Sequence, residues 1–583
     1  MKSGLYALAC LDGAPVAACD AAALGLAAGS GPFAVGLVDE TAGQTHSGMA
    51  ARDGVTVALL GWLDDPAALA AELGAPPDAK PALLALLAFA RWGTALPGQV
   101  PGEWSVIRCD PRRGELMLAI SDTLRDPMFW ARDRGRVAVA PSLKALSRLA
   151  WVSGEFDALG IVQSLSRWHI RNALDNRPLL KDVHRVEHGS VHLFSREGVR
   201  TIDRPAPRQP PHWSGDFEEA ALALETRARL VVRRHLTRHA HAAVLLSGGL
   251  DSSVLALLAS EELAAGQRLS AVSSVAPPGS DLPDERRFID LVVRELDLPL
   301  TPVCPPADGE IYIPQDRTFA QSEAPVVGPR HYLYAALFDA GVATGASATL
   351  DGSFGELSLT RRTRLLTPAN LMRTIRDELR GLSRTRPARA TGLDAGFLVR
   401  PSPALLAMLR AEFADGWPSG AAATPVRLPG ATLGFPLGTA KVGRLTTSTG
   451  HHGLRRLCPF RDPGLIALSA RFPARLTEVG GTSRAFARSM LRRRLPQVSE
   501  RTDKPPFAPD FYARLKREAP RALARIGLYR RYGATDWIDM AWLEGELTAL
   551  AKDEQKPARL MIEIHNAAMA AEFFVWWATV GAA

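Results

Sequence analysis

Two patterns of apolar positions divide the chain. Up to about residue 205 the apolar runs are short and end on turn residues: Val55 to Leu60 stops at Gly61, Trp104 to Arg108 follows Pro101-Gly102, and Leu116 to Ile120 follows Arg113-Gly114. Runs of this length bounded by Gly and Pro predict strands, with an Ala/Leu-rich helix from Lys80 to Trp92 between them. The opening apolar run is broken by Asp12 and Gly13, which predicts a first strand rather than a secretion signal. A Pro-rich stretch, Arg204-Pro205-Ala206-Pro207-Arg208-Gln209-Pro210-Pro211, marks a boundary between a domain at 1–205 and another at 212–583. Beyond it strand and helix patterns alternate: a helix at about 216–236, a strand at 242–246, a helix at 251–264, a strand from Leu269 to Val275, a helix from Asp284 to Leu296, a strand from Leu300 to Cys304, a helix from Pro329 to Ala340 and a strand from Ser347 to Leu350. Within the 284–296 helix, Phe288, Leu291, Val292 and Leu296 share one face. Such alternation predicts an α/β fold, a parallel sheet with its ligand at the carboxyl ends of the strands. Residues 365–583 read as mainly helical.

Composition narrows the class. A chain of 583 residues is too long for one core, and 47% hydrophobic with 22% charged residues is the balance of a globular enzyme. The five cysteines are scattered and form no CxxC pair, which argues against a disulfide framework or a zinc site and fits a cytoplasmic location. No uncharged apolar run reaches a membrane span; the nearest, Ala567 to Ala583, contains Glu572, and its Phe573-Phe574-Val575-Trp576-Trp577 segment reads as a terminal helix docked on the core. Net charge is +8, with basic residues crowded at Arg361–Arg400, including Arg373, Arg376, Arg380, Arg384, Arg386 and Arg389, and at Arg484–Lys504. Neither stretch is interleaved with aromatics that could stack on bases, so a solvated basic face, or a field that draws in an acidic or polyphosphate substrate, competes with nucleic-acid binding.

The chemistry-bearing segment is Ala242 to Ser253, where an apolar strand runs into Ser247-Gly248-Gly249-Leu250-Asp251-Ser252-Ser253 and on into a helix. A Gly-rich turn at a helix N-terminus presents backbone N–H groups to an anion, so this loop suits a phosphate or pyrophosphate. No Gly-Lys-Ser/Thr follows, so it is not a Walker loop. Asp251 could reach a divalent ion bridging phosphates. A second carboxylate comes from Asp351-Gly352-Ser353-Phe354-Gly355-Glu356, where glycines at a strand end suit close approach to phosphate and deliver Glu356 on a turn. Lys504, set in Arg501-Thr502-Asp503-Lys504-Pro505-Pro506-Phe507, is a candidate to stabilise anionic charge that develops there. The bland alternatives, an ordinary turn for Glu356 and a solvated side chain for Lys504, lose weight only because the phosphate loop precedes them.

The loop resembles the PP-loop of enzymes that cleave ATP between the α and β phosphates, and the chain as a whole resembles the asparagine synthetase superfamily. Asp284-Glu285 falls where that family has an Asp-Glu helix start, Glu323-Ala324-Pro325 resembles its acidic-x-Pro segment, and 351–356 aligns on its Ser-Gly-Glu-Gly-Ala-Asp turn. Pro459-Phe460-Arg461-Asp462 resembles the Pro-Phe-Leu-Asp segment, while Arg484, Arg488, Leu495-Pro496, Arg501 and Lys504 follow the closing pattern. Gly102-Glu103-Trp104, Asp110, Asp126-Pro127 and Ala140-Pro141-Ser142 are similar to motifs of its glutaminase domain. The resemblance implies an Ntn-amidotransferase-like α+β sandwich followed by a PP-loop synthetase domain with a helical C-terminal part. It implies ATP contacts at Leu246, Ser247, Gly248, Gly249, Asp251, Ser252, Ser253, Ser274 and Gly352, Mg2+ held by Asp251 and Glu356, and catalytic roles for Lys504 and Arg501.

The departures from that family carry further. Its glutaminases need a cysteine directly after Met1, where the free α-amine activates the thiol, and this chain has Lys2; Cys10 and Cys19 cannot take that place. Where asparagine synthetases carry Glu and β-lactam synthetases Tyr, this chain has Ser353, and the metal Asp becomes Glu356. An acceptor already partly neutral near pH 7, such as a peptide α-amine of pKa about 8, fits the missing relay. A lost glutaminase with a retained ATP half resembles the lasso-peptide cyclases, which adenylate an Asp or Glu side chain of a leaderless precursor and let its N-terminal amine close a macrolactam, releasing AMP and pyrophosphate. That resemblance implies a precursor peptide as substrate, a leader peptidase as partner, and no nucleic acid. The alternatives are a glutamine-independent amide synthetase acting on a small amino acid, a tRNA-modifying PP-loop ATPase, and a non-catalytic scaffold.

Overall fold

The computed structural model describes residues 2–27, 29–39, 46–123, 126–166, 177–202, 212–305, 311–361, 397–412, 450–451, 454–502 and 508–580. The Pro-rich stretch 204–211, the arginines from Arg373 to Arg389 and Lys504 lie outside the described residues.

The first part is a sandwich of two antiparallel sheets. Its strands are β1 (Gly4–Cys10), β2 (Phe33–Val38), β3 (Gly48–Arg52), β4 (Val55–Leu63), β5 (Gly102–Asp110), β6 (Glu115–Ile120), β7 (Phe129–Asp133), β8 (Arg136–Ala140), β9 (Val183–Arg185), β10 (Val191–Ser195) and β11 (Gly198–Ile202). One sheet runs β2-β1-β8-β7-β9 and the other β11-β10-β6-β5-β4-β3. The two-residue period of a strand sorts their side chains. Leu5, Ala7 and Ala9 of β1 meet Ile107, Leu116, Leu118 and Ile120 between the sheets. Tyr6 and Leu8 point outward against helices α2 (Leu143–Leu146) and α3 (Ala158–Leu165), while Val57 and Leu59 of β4 pack on α1 (Pro81–Trp92). The result is a four-layer α+β sandwich.

The second part is α/β. Helix α4 (Phe217–Leu236) precedes β12 (His241–Leu245), α5 (Leu250–Glu261), β13 (Arg268–Ser274), α6 (Arg286–Glu295), β14 (Leu300–Val303), α7 (His331–Ala343) and β15 (Ala348–Leu350), and the sheet is completed by β16 (Gly450–His451) and β17 (Leu454–Leu457). Its order is β14-β13-β12-β15-β17-β16, parallel except for β16. The chain winds outward from β12 to β14 and then returns to the other side of β12, so the order reverses between β12 and β15. In open α/β sheets ligands bind at the carboxyl ends of the strands at such a switch. Alternate residues of β12 enter two cores, Ala242 and Val244 one and Ala243 the other, as a sheet covered on both faces requires.

Strand β17 was not anticipated, because Arg455 and Arg456 occupy its centre in a region that reads as helical. Both arginines face carboxylates: Arg455 meets Glu103 of the sandwich at 3.5 Å and Arg456 meets Asp351 at 2.5 Å. A strand whose charges pair with distant residues carries no apolar run to betray it.

The rest of the C-terminal part is mainly helical and includes α8 (Phe511–Leu523) and α9 (Ala558–Thr579). Helix α9 is buried without interruption from Ile564 to Trp577, as expected of a helix apolar on all sides. The one acid within that buried run, Glu572, pairs with Arg525 Nε at 2.6 Å. No described helix is long and apolar enough to cross a membrane.

Buried polar contacts stitch the two parts together. The Glu323 carboxylate accepts from Ser142 Oγ at 2.5 Å and Leu143 N at 2.7 Å, so the acidic-x-Pro segment closes the N-terminus of α2 across the interface. Lys144 Nζ donates to the Trp577 carbonyl at 2.5 Å and lies 4.5 Å from that residue's ring centre. Asp64 receives Arg234 and Arg238, each at 3.0 Å.

Two histidines, the partly buried His331 and the buried His565, bond through Nε2 to one acceptor, the Ile311 carbonyl, at 2.9 and 2.8 Å. Burial lowers His331 to about 4 and His565 to about 3. The unfolded chain takes up these protons as pH falls through 6.5 while the folded chain does not. Stability is therefore lost from about pH 6.5 downward, at up to ~1.4 kcal/mol per pH unit per histidine. Urea midpoints at pH 7.5 and pH 5 should differ in this direction; equal midpoints would show that the two imidazoles titrate normally.

Candidate active site

The carboxyl ends of β12 and β15 lie side by side, with Val244 in register with Leu350. Three residues past Val244 the Ser247–Ser253 loop begins. Its first serine is held from within: Ser247 N donates to Ser252 Oγ at 3.1 Å, the two hydroxyls are 3.1 Å apart, and Gly249 N donates to Ser247 Oγ at 3.4 Å. Gly248 has φ +66°, and a Cβ there would lie 3.0 Å from Phe288 Cβ, so only glycine suits both conformation and packing. Gly249 is the N-cap of α5 and supplies no side-chain cap. The N–H groups of a helix's first turn lack intrahelical partners, which leaves this turn suited to an anion.

The turn after β15 packs directly on that first turn. A Cβ at Gly352 would lie 3.0 Å from Ser252 N, and one at Gly355 would lie 1.9 Å from Asp251 Oδ1. These glycines were read as room for phosphate; they are room for α5 and for the Asp251 carboxylate itself. Thr360 Oγ1 donates to Asp251 Oδ1 at 2.5 Å and helps fix its orientation. Gly355→Ala should therefore displace Asp251 and lower pyrophosphate exchange at least ~10-fold, since small misplacements of a catalytic group cost this much. Undiminished exchange would mean that the position of that carboxylate does not matter.

Asp351 and Ser353 are engaged inward. Arg456 Nε and Nη2 donate to Asp351 Oδ2 at 2.9 and 2.5 Å, and Ser353 donates to Oδ1 through N at 2.8 Å and Oγ at 2.6 Å. Burial acts to raise the Asp351 carboxyl, but Arg456 and the Ser353 donors outweigh it and hold it below the usual carboxylate range. Removing one member of a buried pair of this kind costs about 3–5 kcal/mol. The serine at the family's Glu or Tyr position is thus a ligand of Asp351.

A cavity of about 360 Å3 opens at this switch point. Leu246, Ser247, Asp251, Ser252, Ser274, Gly352 and Glu356 all line it, whereas Gly248, Gly249 and Ser253 do not. Ser253 is fully buried, and its hydroxyl has no hydrogen-bond partner among the described residues. Asp251 and Glu356 thus face one space from two different strand ends. Among the described residues no group of three or more His, Cys, Asp or Glu could hold a metal. Two carboxylates nevertheless fit Mg2+, which commonly takes one or two of them and fills its shell with water and phosphate oxygens.

Arg501 lies behind the loop, not on the cavity wall. Its Nη1 contacts Glu285 Oε2 at 2.5 Å and donates to the Gly248 carbonyl, and the guanidinium sits 4.0 Å from the Phe288 ring centre. Arg488 in turn donates to the carbonyls of Ser483, Ser499 and Arg501. This part of the second basic stretch is spent on carbonyls that shape the site. Sequence reasoning also missed Tyr332, Tyr334 and Asp510 in the cavity wall. The charge of the site differs from the charge of the chain: Asp251, Asp284, Glu285, Asp351, Glu356 and Asp510 line the cavity, with no Lys, Arg or His among the described residues that do.

None of the curated proteins matches the chain. Among solved structures it is similar to the glutamine phosphoribosylpyrophosphate amidotransferase from B. subtilis complexed with ADP and GMP, with TM-score 0.24 and 11% identity over 62% of this chain and 77% of that one. It is similar to the same degree, TM-score 0.24 and 11% identity, to a structure described as the allosteric regulatory enzyme of purine biosynthesis, over 53% and 77% of the two chains. Likenesses this slight add nothing to the architecture described above. Residues 224–352, which run from α4 through the phosphate loop to Gly352, match the asparagine synthase family model, and this match supports placing that part of the chain in the asparagine synthetase superfamily.

Proposed function

We propose that the chain is an ATP-dependent, AMP-forming amide ligase that closes a macrolactam, as a lasso-peptide cyclase does. It adenylates an Asp or Glu side chain of a leaderless precursor peptide, whose N-terminal amine then displaces AMP. The family match supports ATP-dependent amide bond formation in general. The observation that carries the reading is the convergence of Ser247, Asp251, Ser252, Gly352 and Glu356 on one cavity at the switch point of a parallel sheet. ATP, when bound with Mg2+, supplies the leaving group that turns a carboxylate into an acylating agent. The chain's own residues orient its phosphates on the loop and place carboxylates where the accompanying cation belongs.

The contacts between the two parts favour a peptide amine over ammonia drawn from glutamine. Lys2 Nζ donates to the Gln321 carbonyl at 2.9 Å. The sandwich is locked to the synthetase part by Glu323, Lys144 and Arg455, which suits a scaffold or peptide-contact surface. A leader peptidase acting upstream is the expected partner, and an antibiotic-type lasso peptide made in the cytoplasm the expected product. Incubation with ATP, Mg2+ and synthetic peptides carrying a free N-terminus and one Asp or Glu tests this. Loss of one water from the peptide mass, with AMP formed, is expected; AMP release with unchanged peptide mass, or no ATP turnover with any such peptide, would contradict it.

A further inference from the structure

One end of the cavity is occupied by groups that the phosphate-binding half does not use. Helix α7 places Tyr332 there, and the chain returning at Ala508, Pro509 and Asp510 forms the facing wall before α8 begins. Tyr332 is 8% exposed, and among the described residues its hydroxyl has no partner in good hydrogen-bond geometry, although the Arg514 guanidinium approaches it as a donor. A buried hydroxyl without a well-formed hydrogen bond costs up to about 1–3 kcal/mol. Beside it, Arg514 donates from Nε and Nη2 to Asp510 Oδ2 at 3.2 and 2.7 Å, and its guanidinium lies 4.6 Å from the Tyr332 ring centre.

We infer that Tyr332 and Asp510 form the seat of the substrate's attacking amine. This rests on the amide-forming reading above and names where its second substrate group binds. Tyr332 and Asp510 both present hydrogen-bond acceptors at this end of the cavity, so the complement is an N–H donor and not a second carboxylate. Arg514 decides which form of the amine suits the seat. A lone carboxylate would stabilise an ammonium, which cannot attack; a carboxylate compensated by a buried guanidinium accepts an N–H while favouring the charged form less. Burial, reinforced by the charge of Asp510, pushes Tyr332 up to about 12, so the phenol stays protonated and can turn its lone pairs to the amine. The carboxylates that suit the phosphates line the same cavity, so an amine seated here faces the activated carbonyl.

Tyr332→Phe removes one hydroxyl that makes no well-formed hydrogen bond among the described residues and keeps the ring against Arg514, so the fold should be retained. The variant and the wild-type chain are compared with ATP, Mg2+ and a synthetic peptide bearing one free N-terminal amine and one Asp or Glu, with hydroxylamine as a small acceptor that needs no seat. The expected result is ATP–pyrophosphate exchange and hydroxamate formation within about twofold of wild type, with the water-loss product slowed about tenfold, the worth of one hydrogen bond. An unchanged rate of the water-loss product, or an equal fall in all three, would overturn the inference. Absence of exchange in the wild-type chain would overturn the amide-forming reading itself, and this inference with it.

Discussion

Asp251→Ala is expected to abolish carboxylate-dependent ATP–pyrophosphate exchange, a loss of ~1000-fold or more for a group that holds a phosphate-bound cation. The structure gives this residue no substitute. Its carboxylate shares the cavity with Glu356, is bonded by Thr360 and is accommodated only because residue 355 has no side chain. Asp351, the other acid of the 351–356 turn, is committed to Arg456 and Ser353 and cannot take over. Asp251→Asn keeps the shape and removes the charge, so it should be nearly as damaging. The measurement is exchange of labelled pyrophosphate into ATP with a peptide substrate. Exchange at the wild-type rate in either variant would remove Asp251 from cation binding.

Lys504→Ala is expected to lower turnover ~100- to 1000-fold, the range for deleting a positioned charge at a developing anion, without loss of fold. Lys504 itself lies outside the described residues, but both flanks are at the site. Arg501 is bonded to the Gly248 carbonyl on the back of the loop, and Ala508 lines the cavity. The described cavity wall is acidic, so the negative phosphates and the carboxylate being activated need cations from elsewhere, and a lysine between those flanks is suited to be one of them. Single-turnover rates with the water-loss product as readout, together with a melting curve, separate catalysis from stability. Near-normal turnover would return Lys504 to the surface.

Much of this site was legible in the sequence because it is local. The strand before Ser247, the two glycines and the helix after them obey short-range rules, and β12 and α5 form as those rules require. The alternation from residue 216 to residue 350 likewise announced the parallel sheet. What could not be read depends on contacts between residues far apart. Strand β17 hides because its central arginines find Glu103 and Asp351 only in the folded chain. Gly352 and Gly355 look like phosphate-loop glycines until the first turn of α5 is seen against them. Arg501 belongs to the closing pattern, yet its side chain reaches Gly248, 253 residues away, from behind. Net charge misled for the same reason: a chain at +8 presents a described cavity wall lined by carboxylates, because described arginines such as Arg456 and Arg501 are buried in pairs. Tyr332 and Asp510 carried no signal, since a place in the cavity wall is defined only by the folded surroundings.

The central claim is that the inner phosphates of ATP nest on Ser247 to Ser252 between the ends of β12 and β15. A crystal structure with Mg2+ and an ATP analogue whose α–β bridge cannot be cleaved tests it most directly. The expected density has the bridging phosphates against the backbone N–H groups of the loop, with the cation between Asp251 and Glu356. Nucleotide bound elsewhere, with this loop bare, would contradict it.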